Sequence, residues 1–213
     1  IKPDTNNINL TRKIFGLTNE FKKKRLDVIE EKPLTLFLND QEIVTMMTVN
    51  DYPKYLALGY LLNQNMISKR TKIESVEYEE DIQTVVVRTK TKSDYQKKLK
   101  KKILTSGCAQ GTAFGNILEG FERIKLNTKY KINVEWIYDL SKKINLTPSL
   151  YLKAGAIHGC VLCEKSNPII YMEDVGRHNA IDKIAGYMFL NKINPNNKIF
   201  YTTGRLTSEM VIK

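Results

Sequence analysis

The stretch Glu173-Asp174-Val175-Gly176-Arg177-His178-Asn179-Ala180-Ile181-Asp182-Lys183 decides how the C-terminal part of this chain folds. The apolar run Pro168-Ile169-Ile170-Tyr171-Met172 precedes it and reads as a strand. Ile181, Ile184, Ala185, Met188 and Phe189 follow at helical spacing. A strand therefore enters a tight turn at Gly176 and leaves it as a helix. Turns of this kind present free backbone N–H groups and the positive end of a helix dipole, and α/β proteins place anionic ligands there. Asp174, Arg177, His178, Asn179 and Asp182 crowd the turn, more polar chemistry than packing alone asks for.

A second turn of the same kind lies further on. Residues 198–203 read as a strand, Gly204 and Arg205 follow, and a helix is expected to start near Leu206. Arg177 and Arg205 thus each follow a glycine between a strand end and a helix start. If the two strands are parallel neighbours, both turns open at one sheet edge. Two guanidinium groups then face one crevice, which suits phosphate or pyrophosphate. Ser208 and Asn179 add hydrogen-bonding groups, and Asp174 and Glu209 are placed to orient the arginines or to bind a purine or pterin edge. The plainer alternative pairs Arg177 and Arg205 with these two carboxylates simply to stiffen the turns. His178 borders the site, where a histidine more often hydrogen-bonds than catalyses.

Upstream the chain is richer in strands. Residues 8–15 and 24–31 alternate, 34–38 form a compact apolar run, and 42–48 return across the turn Asn39-Asp40 as a hairpin. Pro53 after Asn50-Asp51-Tyr52 marks a helix start, and Leu56, Leu58, Tyr60, Leu61 and Leu62 follow. Residues 73–79 and 84–88 read as a second hairpin, whose β-branched run Thr84-Val85-Val86-Val87 is strongly strand-forming. Residues 90–102 then hold seven lysines and read as a linker or exposed helix. Asn133 is placed to cap a helix carrying Val134, Ile137, Tyr138 and Leu140, and residues 150–162 mix helical and strand character.

A chain of 213 residues, 42% hydrophobic, buries one large or two small cores. No apolar run reaches the roughly 18 residues of a membrane span, and no segment reads as a signal peptide. The formal charge of +11 favours an anionic partner or simply a lysine-rich surface. The lysine clusters at 22–25 and 97–102 lack the aromatic interleaving of a nucleic-acid surface, and no nucleic-acid partner is expected. Three cysteines outside any disulfide pattern favour a reducing cytosol. A start at Ile1 suggests a missing N-terminus, and an end two turns into the last helix reads as C-terminal truncation.

Cys108 sits in Thr105-Ser106-Gly107-Cys108-Ala109-Gln110-Gly111-Thr112, between flexible glycines, among hydroxyls and after Lys100, Lys101 and Lys102. Nearby positive charge lowers a thiol pKa, so this context suits a nucleophilic thiolate; a small buried cysteine is the alternative. Cys160 and Cys163 form a Cys-x-x-Cys pair, and a zinc reading would add His178. On a strand the two thiols face opposite sides, and their apolar surroundings favour a core role. No metal is expected.

Four ordered segments resemble the formate dehydrogenase accessory sulfurtransferase family, FdhD: residues 31–39, 55–62, the run 173–183 and the run 203–213. The resemblance covers the chain from about residue 25 to its end. It implies an α+β fold: a β-rich N-terminal region over 1–130, then a three-layer α/β domain over 131–213, cytidine-deaminase-like but without that fold's zinc site. It implies that Cys108 carries a persulfide received from a cysteine desulfurase. Relatives often have a second cysteine where Gly111 stands here, so Cys108 is expected to act alone. It implies that Asp174, Arg177, His178, Asn179, Arg205 and Ser208 hold the guanine-dinucleotide form of the molybdenum cofactor, which is sulfurated for formate dehydrogenase. A cytoplasmic protein, compatible with a homodimer, is expected. A non-catalytic chaperone that binds and delivers the cofactor is the alternative; a zinc hydrolase or deaminase would need stoichiometric metal.

Overall fold

The structure is a computed structural model that describes residues 1–90 and 130–213. Cys108, Gly111 and lysines 97–102 lie outside the described residues. A hairpin of β1 (Thr11–Leu17) and β2 (Lys23–Ile29) opens the chain. A four-stranded sheet of order β4-β3-β6-β5 follows, from β3 (Lys32–Leu38), β4 (Gln41–Thr48), β5 (Ile73–Glu79) and β6 (Thr84–Thr89). Its two hairpins are those expected, and they join through the parallel pair β3 and β6. Leu34, Leu36, Leu38, Val85 and Val87 point to one face. There they bury against Leu56, Leu58 and Leu61 of α1 (Pro53–Asn63). Pro53 at the first helical turn loses no intrahelical hydrogen bond, which lets α1 start there.

The C-terminal part is a three-stranded sheet of order β8-β7-β9, from β7 (His158–Glu164), β8 (Asn167–Asp174) and β9 (Ile199–Thr202). Cys160, Leu162, Ile170 and Met172 face α4 (Arg177–Leu190) and Met210 of the short α5 (Ser208–Ile212). Val161, Cys163 and Tyr171 face Leu140 and Ile144 of α2 (Val134–Leu146). Helix, sheet and helix make three layers, and the whole is an α+β fold. Asn133 caps α2 by accepting the Glu135 N–H at 3.0 Å. The apolar residues Val134, Ile137 and Tyr138 of that helix stay exposed.

The mixed character of residues 150–162 resolves into a one-and-a-half-turn helix, α3 (Leu150–Ala154), and β7, broken at Gly155 with φ +69°. One expectation changes. The strands β8 and β9 are parallel in direction but not neighbours, because β7 lies between them and runs antiparallel to both. The two-residue connection Lys165-Ser166 makes β7 and β8 antiparallel neighbours, since so short a link closes only an antiparallel pair.

The two sheets are joined through α1 and α4. At their crossing Gly59 lies against the Asp182 carbonyl, and Gly186 against the Tyr55 carbonyl. A Cβ at either glycine would fall inside that carbonyl oxygen, so only glycine permits the approach. No helix among the described residues is long and apolar enough to cross a membrane.

Candidate functional site

The register of the C-terminal sheet places the site. His158 opens β7 and pairs with Asp174 at the end of β8, while Cys160 pairs with Thr202 at the end of β9. Both turns therefore leave the sheet at the edge where β7 begins. The first runs through Gly176 into α4, whose first residue is Arg177. The second is tied back by Thr203 N–H to the Gly159 carbonyl at 3.0 Å and by Gly204 N–H to Thr202 Oγ1 at 3.1 Å. The last helix begins at Ser208 rather than near Leu206, so Arg205 sits in the connection before it and not at a helix start.

The two turns touch. A Cβ on Gly204 would meet the Arg177 side chain at 3.0 Å and His158 Nδ1 at 3.5 Å. Arg177 is half-buried, its Nε is fully buried without a hydrogen-bond partner among the described residues, and so is the Thr207 hydroxyl. Arg205 and Ser208 are exposed. Neither arginine forms an ion pair among the described residues. The plainer alternative, in which Asp174 and Glu209 neutralise them, is not what the side chains do.

Asp174 turns inward instead. It is fully buried and accepts from Thr48 Oγ1 at 2.5 Å and from Asn179 Nδ2 at 3.1 Å, and it pairs with Lys183 Nζ at 2.6 Å. Lys183 also bonds Asp51 and donates to the Glu173 carbonyl at 2.9 Å. Burial pulls the Lys183 ammonium down, but Asp174 and Asp51 together hold it above its usual range. Asn179 donates to the Met47 carbonyl at 2.8 Å. Asp182 accepts from Asn63 at 2.6 Å and from Lys213 at 2.7 Å, and burial pushes its carboxyl up. The Glu173 carboxylate accepts the Leu150 and Tyr151 N–H groups at the start of α3. The polar run from 173 to 183 therefore divides. Asp174, Asn179, Asp182 and Lys183 reach Thr48, Met47, Asn63 and Asp51 of the N-terminal part, Glu173 holds the start of α3, and Arg177 and His178 remain at the sheet edge.

His178 Nε2 lies 3.4 Å from Glu209 Oε2. Burial, then Lys213 and Arg177, push its imidazole down to about 4 against the pull of Glu209. A free histidine titrates near 6.5, so between those values the unfolded chain binds a proton that the native protein refuses. The resulting stability is present above that range and is lost as pH falls toward 4. The raised carboxyls of Asp51, Glu173 and Asp182 act in the opposite sense, so the measurement is a difference. Urea denaturation from pH 7 to 4.5 should show His178→Gln losing less stability than the wild type. Parallel profiles would mean that the histidine titrates alike in both states.

Cys160 and Cys163 lie on opposite faces of β7, in separate apolar clusters. Burial pushes the Cys160 thiol up to about 12 and the Cys163 thiol up to about 11. No group of three metal-ligating side chains forms among the described residues. His158 is the site residue that sequence reasoning left unassigned. The available signal was its place at the strand start that faces both turns. A cleft of about 520 Å³ also opens at the base of α1, lined by Asn50, Asp51 and the stacked rings of Tyr52 and Tyr55. Arg177 and Arg205 do not line it.

Comparison with known proteins follows the same lines. The profile of the FdhD/NarQ family matches residues 29–213. A sulfur carrier protein FdhD of Wolinella succinogenes is 32% identical over 187 residues, 87% of this chain and 65% of that protein. A protein of the same name from Bacillus pumilus is 29% identical over 195 residues, 91% of this chain and 74% of that protein. The chain thus spans about two thirds to three quarters of these relatives. A Desulfotalea psychrophila crystal structure, described as a formate dehydrogenase accessory protein, superposes with a TM-score of 0.71 at 25% identity. It covers 95% of this chain and 76% of that one. With the profile matched from Ile29 to Lys213, across both sheets and both glycine–arginine turns, the chain belongs to the FdhD/NarQ family.

Proposed function

We propose that this protein is a sulfur carrier that sulfurates the molybdenum cofactor required by formate dehydrogenase. The names of its relatives support the carrier role and the link to formate dehydrogenase. In this reading the Cys108 thiolate attacks the outer sulfur of a persulfide on a cysteine desulfurase. The desulfurase sulfur–sulfur bond breaks, its cysteine leaves as a thiolate, and Cys108 carries the persulfide. The cofactor, in its guanine-dinucleotide form, is the substrate that receives the sulfur.

One observation supports the cofactor site: Arg177 and Arg205 stand at one sheet edge, beside His158, and neither pairs with a carboxylate among the described residues. Cations left unpaired by the protein are available to the phosphates of a ligand. Arg177 and Arg205 make the charged contacts, and Ser208 and His178 border them. Asp174 and Asn179 act from beneath by holding the turn in place.

Calorimetry with GDP on the full-length protein tests this. Arg177→Ala and Arg205→Ala should each weaken binding about tenfold or more, the scale of one charge-assisted contact. Neutralising Lys97, Lys98 and Lys100 should do far less. Added salt should weaken binding. Absence of any GDP binding by a folded full-length protein would remove the basis of the cofactor site.

A further inference from the structure

Both histidines of the chain lie beside Arg177, but they differ in what holds them. His178 has Glu209 as a partner. The His158 ring has no hydrogen-bond or carboxylate partner among the described residues. The charges that act on it are cations: Arg177 from the start of α4 and Arg205 from the connection between β9 and α5. Asp174, its cross-strand partner, gives its carboxylate to Lys183, Thr48 and Asn179. His178, Glu209 and Lys213 form the next layer around Arg177. The ring is half-buried at the mouth of the two turns, with Nδ1 toward Gly204. Arg177 Nε and the Thr207 hydroxyl are buried unpartnered in the same two turns.

Among the described residues no carboxylate pairs with the ring or with either guanidinium group beside it, so protonating this half-buried imidazole is costly until an anion arrives. We infer that His158 is the third member of the arginine site, and that it takes up a proton to bind a dianionic oxyanion such as a nucleotide phosphate. The inference rests on the proposed arginine site and adds the residue that sets its preference for double charge.

The linkage follows from the neighbours. In the free protein, burial and then the charges of Arg177 and Arg205 hold the imidazole below its usual range. A bound dianion offsets those charges and offers an acceptor, so the imidazolium is favoured in the complex. Binding then consumes a proton. Affinity is greatest at low pH and falls as pH rises through the range between the free and bound values of the ring. For one proton the fall approaches about tenfold per pH unit. The arginines alone would give no such slope near neutral pH.

Sulfate is the clean probe because it stays dianionic throughout. Calorimetry of sulfate binding to the full-length protein, from pH 5.5 to 8 in buffers of different ionisation heat, reads affinity and proton uptake together. The wild type should take up close to one proton between the free and bound values of the ring, where its affinity falls most steeply, and less on either side. His158→Gln should bind weakly at every pH without proton uptake. His158→Lys should bind without a slope and retain at pH 8 the affinity that the wild type has at pH 6. It is the control should the glutamine variant fold poorly. His178→Gln should keep the wild-type slope. A slope unchanged in His158→Gln, with binding still lost in Arg177→Ala, overturns the role of His158 and leaves the arginine site standing. Sulfate binding indifferent to Arg177→Ala, or no binding at all, removes the arginine site and the inference with it.

Discussion

Replacing Cys108 with alanine should abolish persulfide formation and leave formate dehydrogenase inactive, with the fold intact. The sequence around it supplies the reason. In sequence Cys108 stands between Gly107 and Gly111, among hydroxyl residues and after Lys100, Lys101 and Lys102, the context from which a nucleophilic thiolate is expected. The other two thiols are in the opposite condition. With pKa values pushed up to about 12 and about 11, Cys160 and Cys163 are thiolate in only about one molecule in 10⁵ and one in 10⁴ at neutral pH. Both are also fully buried. Neither meets an incoming persulfide, so Cys160→Ala and Cys163→Ala should retain most activation apart from losses due to cavity formation. The measurement is mass spectrometry after incubation with a cysteine desulfurase and cysteine, with the added sulfur located by residue. Activation of formate dehydrogenase is followed in parallel. Full activation by Cys108→Ala would overturn the carrier mechanism and favour a chaperone that only delivers the cofactor.

Lys183→Met should cost about 3–5 kcal/mol of stability at pH 7, the penalty for leaving buried carboxylates without their counter-ion. The Lys183 side chain is completely buried, and those of Asp51 and Asp174 are 2% and 0% exposed. Asp51 Oδ2 already has no hydrogen-bond partner among the described residues. Burial pushes the Asp51 carboxyl up, and Lys183 is the main influence opposing it. Removing the lysine raises it further. A carboxyl raised in the folded state contributes stability at low pH and loses it as pH rises through the folded value. The deficit of Lys183→Met should therefore shrink as pH falls from 7 toward 5. Urea denaturation at several pH values checks both claims. A deficit below about 1 kcal/mol, or one independent of pH, would show that the Asp51–Lys183–Asp174 contact does not carry the join between the sheets.

Much of this architecture was readable because its signals are local. Both hairpins of the N-terminal sheet, the Pro53 start of α1 and the Asn133 cap of α2 depend on residues a few positions apart. The two glycine–arginine turns were legible in the same way. The start of the last helix was less so, because Gly204, Arg205 and Leu206 belong to a connection tied locally to Thr202 and, through Thr203, to Gly159 on the neighbouring strand.

The sequence by itself determined the family, the order of the elements and the presence of two arginine turns. Tertiary structure decided which way the polar residues of those turns face. The helix α4 packs against its own sheet on one side and against α1 on another, so Asn179, Asp182 and Lys183 are buried, although in the sequence Asn179 and Asp182 read as polar groups of a ligand-binding turn. Their partners Met47, Asn63 and Asp51 lie 119 to 132 residues away. Periodicity registers burial against a neighbouring element, but it carries no record of which distant charge will be opposite. For the same reason Asp174 reads as a ligand-binding carboxylate in the sequence and is the buried counter-ion of Lys183 in the fold. His158 gained its place beside Arg177 and Arg205 only when β7 inserted between β8 and β9 and brought three separate segments to one edge.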